Sequence, residues 1–156
     1  MIDVRFPTAL QMMLSLALAQ AEGDERLSSA RLAEGVGSNP AVVRRLLAPL
    51  MQAGLVRSTM GRDGGVSLSV DAAAITLAEI YKATLGDKRL WTGRSGMPHQ
   101  CLVSCNVEQF FGNLADEVDE SVVRLLGERT LADTLLELRT LDAARLERGA
   151  ATRVSR

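Results

Sequence analysis

Residues 38–50, SNPAVVRRLLAPL, restrict the fold more than any other stretch of the chain. Asn39 is a favoured N-cap, because its side-chain oxygen can accept from a free backbone N–H of the first turn. Pro40 follows at the first helical position, where its missing N–H costs nothing. Val43, Leu46, Leu47 and Leu50 then recur at helical spacing, so one face is apolar and turned to a core. Arg44 and Arg45 fall off that face and are available to a polyanion. A shorter helix is predicted just upstream, over 28–36 (SSARLAEGV), with Gly37 and Ser38 as the turn. Two helices joined by a tight turn with Gly, the second carrying exposed cations, form the helix-turn-helix pattern.

The next stretch completes a larger unit. Residues 55–59 (LVRST) and 66–70 (VSLSV) have strand patterns, the second alternating apolar with small polar residues. Between them lies the turn cluster MGRDGG. Helix, helix and Gly-tipped hairpin in that order describe a winged helix-turn-helix. An αα-hairpin followed by a hairpin with no nucleic-acid role is the alternative arrangement.

At 156 residues the chain makes one large domain or a small one with an extension. The net charge of −1 does not advertise a nucleic-acid binder, so charge placement decides. Residues 1–70 hold seven arginines against six acids, which leaves the remainder at −2. Any DNA contact therefore rests on a few well-placed arginines, and affinity should depend strongly on salt. Two cysteines do not make a secreted disulfide scaffold. Residues 14–21 resemble a signal-peptide core, but Asp3, Pro7, Thr8 and Gln11 interrupt the run and it is too short to span a bilayer. A cytoplasmic protein with no membrane partner is expected. His99 is the sole histidine, and the only Gly cluster lies between strands, so neither a hydrolase triad nor a phosphate loop is legible; no enzyme is expected.

Taken in order, residues 7–21 predict an amphipathic first helix with Arg5 just before it, placed to reach a phosphate. Thr76 and Glu79 form a capping box for a helix that Gly86 stops. Residues 87–100 have no period and read as a loop, with Trp91 as an anchor on the globule or, alternatively, part of a partner surface. Asn106 is the predicted cap of a long helix to about residue 126, striped by Val107, Phe110, Phe111, Leu114, Val118, Val122 and Leu125. A stripe this long wants cover; a twofold partner supplies it most simply, and intramolecular packing is the alternative. Thr130 and Asp133 form a further box for the last helix, and the residues from Gly149 on read as a disordered tail. The chain thus divides into a winged helix-turn-helix (1–86), a sensory loop (87–105), dimerisation helices (106–148) and a flexible tail (149–156). The fold class is mainly α with a small β-hairpin wing.

Several stretches together resemble the Rrf2 family of winged helix-turn-helix regulators, typified by IscR, NsrR and CymR. They are Arg5-Phe6 with Ala9-Leu10, SNPAVVRRLLAPLMQAGLV, the GRDGG wing, ITLAEIYKA, and TLAD opening the last helix. The resemblance covers about residues 3–141, and the NP-x-VVRR form is nearest the YwnA-like branch. It implies a homodimer on the long helix and a DNA-binding transcription regulator, usually a repressor. The candidate DNA contacts are Arg5, Ser28, Ser38, Asn39, Pro40, Val42, Arg44, Arg45, Arg62 and Gly64. The family's wing reads RGxxGGY; here Met60 stands at the Arg position and Val66 at the Tyr position, with Arg62 two residues on. A winged-helix module that binds protein and not DNA is the competing function.

Cluster-binding members carry three cysteines in the loop, whereas this chain has Cys101 and Cys105. A [2Fe–2S] site takes four ligands, and His99, Cys101 and Cys105 offer three. No cofactor is therefore expected, with a cluster or another metal on those residues as the alternative. A thiol at 105, just before the Asn106 cap, would feel the positive end of the helix and favour the thiolate. Cys101 would then be the resolving thiol of a redox switch. Cys105 as a buried small apolar residue is the plain alternative, and an organic effector near the loop fits the same lever.

Overall fold

The computed structural model of the chain describes residues 3–154, apart from 25, 62–63, 87, 90, 92–94, 97 and 99, with side chains described up to residue 148. Helix α1 (Arg5–Glu22) buries Ala9, Met12, Met13, Leu16 and Ala17. It ends at Gly23, whose φ of 80° a side chain would resist; Asp24 N–H closes back on Ala19 O at 2.9 Å. Helix α2 (Ser29–Gly35) is capped by Ser28, which accepts from Arg31 N–H at 3.2 Å. Gly37, at φ 61°, turns the chain into α3 (Pro40–Gln52). The predicted face of α3, Val43, Leu46, Leu47 and Leu50, is buried. Each such fully buried side chain is worth about 1.5–3 kcal/mol relative to exposure.

Strands β1 (Val56–Thr59) and β2 (Gly65–Leu68) pair antiparallel, Val56 with Leu68 through Thr59 with Gly65. Val66 also exchanges two backbone hydrogen bonds with Leu27, at 2.8 and 2.9 Å, which ties the hairpin to the entry of α2. Val56, Val66 and Leu68 bury inward, so the wing is anchored by its base. A short 3-10 turn (Ala72–Ala74) leads to α4 (Leu77–Leu85). The Thr76–Glu79 box forms there as predicted. So does the reciprocal Thr130–Asp133 pair at the start of α6 (Leu131–Val154). The two helix starts are stitched together: Leu77 N–H donates to Arg129 O at 3.0 Å, and Leu131 N–H to Ile75 O at 2.9 Å. Leu131 and Leu135 thereby enter the same core as α1 and α4.

Helix α5 (Leu102–Gly127) departs from expectation at its start. It begins five residues before the predicted position, and Cys101, not Asn106, is the N-cap. Ser104 sits three residues on and completes a capping box with Cys101. Asn106 lies inside the helix, its Nδ2 donating to Leu102 O at 2.8 Å. The boundary drawn between residues 105 and 106 therefore falls within a helix. The expected tail is corrected as well, since α6 continues through 149 to Val154. On α5 the buried residue is Ala115, while Phe110 and Leu125 are each 60% exposed. No helix among the described residues is long and apolar enough to cross a membrane.

Candidate nucleic-acid interface

The exposed face of α3 is built by what its other face buries. With Val43, Leu46, Leu47 and Leu50 sunk in the core, Ala41, Arg44, Arg45 and Ala48 are left outward and solvent-exposed. Arg44 and Arg45 make no ion pair among the described residues. Asn39 caps the helix by accepting from Ala41 N–H at 3.0 Å and Val42 N–H at 3.1 Å. That cap uses the Asn39 carbonyl oxygen and leaves the side-chain NH₂ open to an acceptor. Ser38, Asn39 and Pro40 are exposed at the helix entry, and Ser28 is exposed at the entry of α2. Val42 differs: it is half-buried against the core and lines a groove with Arg45, Leu46 and Pro49.

Arg5 reaches the same groove from α1. It is the first helical residue, and it pairs with Asp3 through Nε at 3.1 Å and Nη2 at 2.8 Å. Lys88 Nζ sits 2.7 Å from the same carboxylate. The Arg5 guanidinium first, and the Lys88 ammonium second, hold Asp3 well below the usual carboxylate range. Sequence reasoning missed Asp3 and Lys88, which stand 85 residues apart and share no local pattern.

In the wing, Gly64 is required by space. A Cβ there would lie 2.8 Å from Gly61 O and clash harder with Thr59 O. Met60 is 95% exposed at the tip. Arg62, the residue expected to stand in for the wing arginine, lies outside the described residues, as does His99.

Cys101 and Cys105 are both exposed free thiols, so the buried reading of Cys105 does not hold on this chain. Cys105 N–H donates to Cys101 O at 2.9 Å, which places the pair one helical turn apart. The cap position gives Cys101 the environment expected of Cys105. Its Sγ lies 3.4 Å from both the hydroxyl and the backbone N–H of Ser104. Those contacts, the hydroxyl first, pull the Cys101 thiol below its ordinary value. As iron ligands the two thiols are half of the four that a [2Fe–2S] centre needs. With two cysteines and one histidine in the whole chain, an all-cysteine site cannot be assembled within it. Among the described residues no cluster of three metal-binding side chains occurs. Trp91 is 37% exposed and so only partly anchored.

Comparison with known proteins agrees with this architecture. Residues 2–137 match the Rrf2 family, described as an iron-dependent transcriptional regulator. YwnA of Bacillus subtilis, named an HTH-type transcriptional regulator, is 32% identical over 88% of this chain and 95% of its own length. A transcriptional regulator from Lactobacillus plantarum superposes with a TM-score of 0.74 at 23% identity, over 96% of this chain and 99% of that one. IscR of T. potens gives a TM-score of 0.63 at 25% identity, covering 88% of each chain. The winged fold, its capped second helix and these matches along most of the length are one observation made three ways, and the chain belongs to the Rrf2 family of DNA-binding transcriptional regulators.

Proposed function

We propose that the chain is a cytoplasmic, dimeric, sequence-specific repressor whose DNA affinity is set by thiol chemistry at Cys101 and Cys105. The observation that carries DNA reading is the pair Arg44 and Arg45, exposed and free of ion pairs among the described residues, on a helix entered through Asn39-Pro40. In this reading α3 enters the major groove, with Ser38, Asn39 and the arginines at base edges or phosphates. Arg5, Ser28 and the Gly64 turn meet flanking backbone. The exposed apolar residues of α5 supply the twofold seam that joins the two heads.

Cys101 is the attacking group in the thiol step. Its thiolate takes the terminal oxygen of a peroxide, releasing hydroxide and leaving a sulfenic acid. The Cys105 thiol then attacks that sulfur, and water leaves with the disulfide. A disulfide needs Cβ atoms about 3.5–4.5 Å apart, and here Cys101 is an N-cap in extended backbone while Cys105 sits in the first turn, bound through its N–H to Cys101 O. In this reading, closing the bond displaces the first turn of α5 and its cap. That distortion starts at the seam helix and alters the spacing of the heads.

A gel shift with the protein's own promoter region tests the reading. Retarded DNA that is released by peroxide and restored by a dithiol supports it. Absence of any shift favours a winged-helix module that binds protein, for which Met60 in place of a wing arginine speaks. A brown protein absorbing visible light would replace the thiol switch with an iron–sulfur sensor whose ligands come partly from a second chain.

A further inference from the structure

The second feature of note is a cavity of about 650 Å³ between the end of α4 and the flank of α5. Polar and apolar surface line it about equally, and its charges are unevenly used. Arg89 and Asp116, both lining it, form an ion pair at 2.6 Å. Lys82 lines it from α4, exposed and without an ion pair among the described residues. Asp119 lines it from α5, and its Oδ1 is out of solvent reach with no hydrogen-bond partner. Among the described residues it is the one buried side-chain oxygen or nitrogen left so. An acceptor left buried and unpartnered is costly, so a hydrogen-bond donor delivered into the cavity would satisfy it. The Asp119 charge also raises the neighbouring Tyr81 hydroxyl above its ordinary value, after burial has done most of it. Tyr81 does not act as the missing donor.

We propose that this cavity binds a small zwitterion, with its ammonium on Asp119 and its carboxylate on Lys82 and Lys88. A simple cation would leave Lys82 unanswered, since Lys88 already pairs with Asp3, and a simple anion would leave Asp119 so. The site has a route to the DNA-facing surface. Lys88 lines the cavity and also holds Asp3, which holds Arg5. A ligand carboxylate that draws Lys88 away changes the charge beside Arg5. Tyr81 packs edge-on to Phe6, the next residue of α1, with ring centres 5.3 Å apart. The site also stays open in a dimer joined along the apolar seam. Asp116 follows Leu114 by two residues, and Val123 precedes Leu125 by two, which is about 200° around a helix. Seam and cavity therefore occupy opposite flanks of α5.

The test is calorimetric titration of the DNA-free protein with a ladder of charge separations: glycine, β-alanine, γ-aminobutyrate and ε-aminocaproate. Propylamine and propionate serve as single-charge controls. One rung should bind better than either control. Asp119→Asn, which keeps the shape, should weaken that rung by about tenfold or more, the loss expected for a hydrogen bond to a charged group. Lys82→Met, at an exposed position, should weaken the zwitterion and leave propylamine unchanged. Failure of every rung to bind, with water alone on Asp119, overturns the proposal. So does an Asp119→Asn protein that binds as tightly as wild type. Because no DNA is present, a chain that takes the zwitterion but ignores its promoter leaves the site standing and removes the DNA-reading proposal instead.

Discussion

Arg44 and Arg45 are adjacent in sequence, yet their surroundings differ. Arg45 borders the groove with Val42, Pro49 and Arg5, whereas Arg44 stands clear of it on the outer face. If Arg44 reads a base edge, Arg44→Ala should cost about 1–3 kcal/mol and relax selectivity at one position. Arg45→Ala, as a backbone contact, should weaken all sequences alike and lower the salt slope by about one. Fluorescence anisotropy over a salt series separates the two, and unchanged binding in the double variant would remove α3 from the interface. The thiols invite a second test. With its pKa drawn down by Ser104, Cys101 should be alkylated by iodoacetamide faster than Cys105 at neutral pH. Ser104→Ala should narrow that difference, as read by mass spectrometry of the peptides. Gly64→Ala should destabilise the chain by about 1–3 kcal/mol in urea, because its methyl group would run into the carbonyls of Thr59 and Gly61.

At the scale of elements, α5 shows how far sequence carried and where it stopped. The stripe was legible, since Phe110, Leu114 and Leu125 recur at helical intervals whatever covers them. The helix start was not, because Asn106 looks like a cap and cysteine does not. What decided it was Ser104, whose hydroxyl reaches back to the Cys101 backbone N–H at 3.0 Å. Helix α3 and both other capping boxes were legible for the opposite reason: each signal is local, within three or four residues. The Asp3–Lys88 bridge and the α5 cavity join distant segments, and a single sequence holds no trace of such meetings. The stripe makes its own prediction. Leu125 is already 60% exposed on one chain, so Leu125→Glu should leave the fold and its urea midpoint unchanged. It should nevertheless turn a dimer into a monomer in sedimentation, and a dimer that survives would rule out the seam.

For the whole molecule, the tether from Lys88 through Asp3 to Arg5 links the chain's start to the segment after α4. Asp3 is depressed in the folded chain, so its contribution is present above the ordinary carboxylate pKa of about 3.9 and is lost only as pH falls through the lower folded value. Between pH 5 and pH 8 the tether should therefore be constant, and Asp3→Asn should shift DNA affinity by the same factor throughout that window; a shift that changes with pH there would assign the effect elsewhere. The uncovered face of α5 has a further consequence, for the cell and not for the fold. If the heads join only through that face, as proposed, paired heads form in proportion to the square of chain abundance wherever most chains are single. Under that proposal, halving expression would quarter the paired species, so promoter occupancy would respond more steeply than linearly to gene dosage.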